Sequence, residues 1–173
     1  RIFKANKNPA WKGKVYKAFG ELKKIFAVNQ TPEVYLSFAK CFWLNGRLIK
    51  ADKSLKKALY YKPGYTEALI FKGYMYLEEG KEISNKYGRS ASKKKKKSFK
   101  EYRRKAKTSY EKVLAEADID DKTKAIAYLG LGDTYHYLYN KNARAREQWG
   151  KAVSAASESS WGKKAQERLS GLR

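Results

Sequence analysis

Apolar and small residues at Tyr35, Phe38, Ala39 and Phe42 recur at i, i+3, i+4 and i+7, the spacing of one helix face. Thr31 and Pro32 in front suit an N-cap and a first helical position, and Gly46 behind suits a C′ glycine. A second stripe follows at once, with Leu48, Ala51, Leu55, Ala58 and Leu59 on its apolar face and Pro63 beyond its end. The pattern predicts a helix–turn–helix hairpin.

The hairpin is repeated. Shifting the chain by 34 residues lays Glu33 on Glu67, Tyr35 on Leu69, Leu36 on Ile70 and Ala39 on Gly73. The same shift lays Cys41 on Met75, Phe42 on Tyr76 and Gly46 on Gly80. Small residues fall on small, large apolar on large apolar and glycine on glycine, the mark of a repeat architecture. A further unit carries Tyr128, Leu131, Gly132 and Tyr135, then Ala145, Trp149 and Ala152. Trp161, Ala165 and Leu169 at i, i+4 and i+8 mark a closing helix. Upstream, Gly13, Ala18, Leu22 and Ile25 copy the spacing of Gly46, Ala51, Leu55 and Ala58, which makes 14–29 the second helix of an earlier unit whose first helix holds Pro9. The expected organisation is one domain over 1–173: a partial repeat at 1–30, repeats at 31–65, 66–118 and 121–157, and a capping helix at 159–173. A chain cut from something longer and a first repeat that is naturally short both fit that beginning.

At Tyr35, Phe38, Ala39, Phe42, Gly46, Ala51, Leu55, Ala58 and Pro63 the chain resembles the tetratricopeptide repeat family. Lys72 stands where that family prefers leucine, and no proline closes the second unit. The resemblance implies an all-α fold, a right-handed superhelical stack of antiparallel helix hairpins. Ala39, Gly73 and Gly132 would allow close helix approach, and Phe42, Tyr76 and Tyr135 would fill the space between hairpins. It also implies a concave wall made by first helices. On it would lie Leu36, Lys40 and Trp43, then Ile70, Phe71, Tyr74 and Leu77, then Leu129 and Tyr137, the expected partner-binding residues. The lysine and asparagine pairs with which some members grip a peptide carboxylate are missing, which argues against a chaperone-tail clamp. The expectation is a non-catalytic scaffold or adaptor that binds a protein or peptide in an apolar-aromatic groove, with filling of the groove by a preceding segment of the same chain, or self-association, as the rival.

Charge alters this picture. The chain carries a formal net charge of +23, which attracts anionic partners and says nothing about fold. An insertion at 82–105 separates the helices of the second unit, and about half the excess lies on and beside it: residues 86–107 hold 12 basic side chains against Glu101 alone. Five consecutive lysines, Lys93, Lys94, Lys95, Lys96 and Lys97, repel one another, so this stretch is expected to be a mobile tether or a solvated helical extension. With Arg103 and Arg104 it is the expected anion-binding site, for nucleic acid, an acidic protein or an anionic surface.

Little points to chemistry. No phosphate-binding loop is present, and His136 is the only histidine, so neither a metal site nor a catalytic triad nor a cofactor site is expected. Asp118, Asp120 and Asp121 read as helix-entry caps. Cys41 occupies the repeat position of Met75, a packing position. No apolar run reaches the length of a membrane span. The closing helix resembles that of bacterial tetratricopeptide proteins of the cell envelope, which implies an envelope or periplasmic location, with the cytoplasm as the alternative.

Overall fold

The computed structural model describes residues 9–172, and among them it is all-α: eight helices, no strand and one short 3-10 turn. They are α1 (Pro9–Val28), α2 (Pro32–Leu44), α3 (Leu48–Tyr61), α4 (Thr66–Tyr87), α5 (Lys93–Leu114), α6 (Asp121–Tyr139), α7 (Asn142–Ala156) and α8 (Ser160–Gly171). The part of the expected first repeat before residue 9 lies outside the described residues. The chain forms two compact units, one ending at Ala68 and the other beginning at Leu69, in the first turn of α4.

In the first unit α1 packs on α2 and α2 on α3. Thr31 caps α2 by accepting from the Val34 amide, with Pro32 at the first turn. Gly46 takes φ +69° between α2 and α3, a left-handed conformation that glycine adopts without steric cost. The helices run antiparallel. Phe19 meets Phe42 and Phe26 meets Tyr35 between α1 and α2, while Lys50 reaches Phe42 and Lys57 reaches Tyr35 between α3 and α2. Ala39, Ala51, Leu55 and Ala58 are fully buried, so the small positions do bring helices together. Gly13 is different: matched in spacing to the turn glycine Gly46, it lies inside α1.

In the second unit α5 packs on α6, α6 on α7, and α8 on both α7 and α6. Tyr110 of α5 lies against the α-carbons of Gly73 in α4 and Gly130 in α6, and a β-carbon on either glycine would strike its ring. Gly132 stands against the Trp149 indole in the same way. Gly80, expected to end a helix as Gly46 does, instead lies within α4. A β-carbon there would come 2.9 Å from Leu138 of α6, so this glycine serves a helix crossing. The chain therefore stays helical through Tyr87, turns at Gly88–Ser90, and re-enters a helix at Lys93 behind an N-cap at Ser92. Of the two forms expected for the insertion, the helical extension is the one observed. Asp120 caps α6, accepting from the Thr123 amide at 2.6 Å, and Ser159 caps α8, accepting from Gly162 at 3.0 Å.

Candidate binding surfaces

In the first unit a cavity of about 340 Å³ opens over the aromatic ridge of α2. Its floor is Phe26, Tyr35, Phe38 and Phe42. Phe26 sits edge-on to Tyr35 and Phe38, each at 5.4 Å, and Phe38 stacks on Phe42 at 6.1 Å. Phe19 closes the far side of Phe38 and Phe42, and Tyr61 stacks on Tyr35 at 5.6 Å. Tyr35 and Phe38 are buried, while Phe26 and Phe42 remain half-buried and reachable.

The opposite lip comes from α3, where Lys50, Lys53, Ser54 and Lys57 line the cavity. Those positions are i, i+3, i+4 and i+7, so one face of α3 looks onto the floor while Ala51, Leu55 and Ala58 bury the other. Lys50 Nζ stands 5.8 Å from the centre of the Phe42 ring and Lys57 Nζ 5.5 Å from that of Tyr35. Ammonium groups at such distances are attracted to the ring faces. The site is an apolar trough with a positive lip.

In the second unit α5 carries the expected anion-binding residues, and the structure sorts them. Lys93, Lys96, Lys97, Lys100 and Arg104 are exposed at i, i+3, i+4, i+7 and i+11, one continuous stripe opposite the buried Ala106, Tyr110 and Val113. Lys94 is exposed too, off that stripe. Lys95 turns back onto Tyr87, and Arg103 is half-buried over Tyr139 with its guanidinium carbon 4.8 Å from the ring centre. Lys105 and Lys107 pair with Glu101 and Glu111 at 2.7 and 3.0 Å. The stripe begins on the first turn of α5, where the helix dipole adds its positive end to the lysine charges.

A polar cluster ties the end of the second unit together. Asp133 Oδ1 accepts from Trp149 Nε1 at 3.1 Å and from Arg168 Nε at 3.2 Å, linking α6 to α7 and α8. Burial raises the Asp133 carboxyl above its usual range, against the opposing pull of Arg168, Lys81 and the Trp149 hydrogen bond. His136 Nδ1 lies 2.9 Å from Asn142 Oδ1, with its ring against Tyr137 and Trp149. Among the described residues, no three or more His, Cys, Asp or Glu side chains are grouped to hold a metal ion. Cys41 is buried, and desolvation raises its thiol pKa.

The residues expected on a concave wall separate by exposure. Leu36, Trp43, Leu77 and Leu129 are buried and act as packing residues. The cause is plain for Leu129, since α6 is enclosed by α5, α7, α8 and, at Gly80, α4. Leu36 and Trp43 belong to an α2 with seven buried positions. Ile70, Phe71 and Tyr74 are half-buried, and burial pushes the Tyr74 hydroxyl pKa well up. Lys40 and Tyr137 are exposed, the latter beneath Lys81 at 4.7 Å. Sequence reasoning passed over Phe26, Lys50, Lys53 and Lys57, although the helical spacing of the three lysines was there to be read.

No protein-family model matches the chain, and no curated protein matches it either. No described helix is long and apolar enough to cross a membrane.

Proposed function

We propose that the chain is a tetratricopeptide-type scaffold that works without catalysis, by binding another protein. The observation that carries this reading is the open trough over Phe26, Tyr35, Phe38 and Phe42. Apolar aromatic surface left reachable beside a polar lip is the composition of protein contacts, and aromatic side chains supply most of their binding energy. The repeat origin is supported by the matched roles of Ala39, Gly73 and Gly132, each a small buried residue at the same repeat position.

The test is a complex rebuilt from purified components. A partner captured by the chain and then purified should form a stoichiometric complex with it. Phe26→Ala and Ser54→Trp, one removing floor and the other filling the cavity, should abolish that complex while helix content by circular dichroism is kept. A complex that survives Ser54→Trp removes the trough from the reading.

A second reading is favoured by the α5 stripe. Lys93, Lys96, Lys97, Lys100 and Arg104 form a straight row of exposed cations about 16 Å long at 1.5 Å per residue. Such a row suits a phosphate backbone or another anionic surface, and steep salt dependence is its signature.

A further inference from the structure

We infer that the trough of the first unit receives an acidic amphipathic helix of a partner protein. Its apolar stripe lies on Phe26 and Phe42, and its carboxylates meet Lys50, Lys53 and Lys57. This rests on the scaffold reading and names the chemistry of the occupant.

Three observations converge. The lip lysines have no carboxylate partner among the described residues, whereas Lys56, one step round the same helix, is paired with Asp52 at 3.2 Å. Three adjacent cations at i, i+3 and i+7 repel one another, a cost that acidic groups in the trough would remove. The lip and floor also run side by side. Lys50 overlies Phe42 and Lys57 overlies Tyr35, so the positive row tracks the aromatic row for the two turns, about 10 Å, between them. A helix with apolar residues at i, i+4 and i+7 and glutamates beside them presents the matching two rows.

Charge and shape argue against three other occupants. A second copy of a chain carrying +23 would bring like charge against this lip. A bilayer surface cannot follow a recessed floor. Nucleic-acid bases need open ring faces, and Tyr35 and Phe38 are only 4% and 8% exposed.

The experiment uses a fluorescent peptide of about 16 residues, some four helical turns. It carries leucine or phenylalanine on one face and glutamate on both flanks. A scrambled peptide of equal composition, a lysine-for-glutamate version and a single-stranded oligonucleotide serve as the other probes, all followed by anisotropy. The ordered acidic peptide is expected to bind at least roughly tenfold more tightly than its scramble, and Lys50→Glu/Lys57→Glu should weaken it by a similar factor. Lys163→Glu/Lys164→Glu, the same charge change on α8, should leave it unchanged. Should the charge-reversed variant lose helix content, Lys53→Gln/Lys57→Gln takes its place, with a smaller expected loss. Equal binding of scramble and ordered peptide, equal loss in the α8 variant, or tighter oligonucleotide binding that depends on the same lysines overturns the proposal. A failed peptide alongside a purified complex that Ser54→Trp still destroys overturns the acidic occupant alone. Failure of both overturns the scaffold reading as well.

Discussion

The indole of Trp149 occupies the space that a β-carbon on Gly132 would take, so α6 and α7 meet through a glycine and a tryptophan rather than through two side chains of ordinary size. Trp149 is 1% exposed, and its Nε1 is satisfied by Asp133 one residue further along α6.

Gly132→Ala should therefore destabilise the protein by about 1–3 kcal/mol, the usual cost of overpacking, despite alanine's better helix propensity. Gly150, also helical, has nothing within 4 Å of its missing β-carbon. Gly150→Ala should stabilise by about 0.5–1 kcal/mol. Urea denaturation of the two variants checks the pair. Equal and favourable shifts would remove the close approach.

Asp120 and Asp133, at the N-cap and in the body of α6, should respond to pH in opposite senses. Asp120 is held low, first by the Thr123 amide hydrogen bond, so it contributes stability above about pH 3.8 that is lost as acid protonates it. Asp133 is held high by burial, so the fold favours its proton. Its contribution is greatest below about pH 3.8 and declines as pH rises through the raised folded value. Carboxyl titration by NMR should show the two displaced on either side of the ordinary value, and Asp133→Asn should abolish the second effect.

Removing the Asp133 acceptor is a separate matter. Asp133→Ala leaves the buried Trp149 N–H without its partner, at a cost of about 1–3 kcal/mol. Asp133→Asn keeps an acceptor oxygen and should cost less. Thermal unfolding of both variants at neutral pH makes the comparison, and equal losses would count against the hydrogen bond.

If the α5 stripe engages nucleic acid, converting Lys93, Lys96, Lys97 and Lys100 to glutamine should flatten the slope of log affinity against log salt. The change should be roughly 0.9 for each duplex phosphate that is no longer neutralised. Arg103→Gln should alter the slope less, because its guanidinium is already over Tyr139. Unchanged slopes in the lysine variant remove the second reading.

Local order was largely legible. The i, i+3, i+4, i+7 stripe of α2, the Thr31 and Asp120 caps and the Gly46 turn depend on neighbours a few residues apart, and each is observed. Gly46 and Gly80 show where that legibility ends. They are the same residue at the same repeat position, yet Gly46 turns the chain at φ +69° while Gly80 lies within α4 against Leu138, on a helix that comes much later in the chain.

The candidate site divides along the same line. Composition and spacing alone established an all-helical, repeat-like, strongly basic chain with a charged insertion, since periodicity and charge are properties of the string of residues. Whether Leu36 and Trp43 face solvent or packing, and whether Lys50, Lys53 and Lys57 border an aromatic trough, was decided only by which helices came to lie against α2. Burial and electrostatic environment come from neighbours brought together in space, and no sequence distance records them.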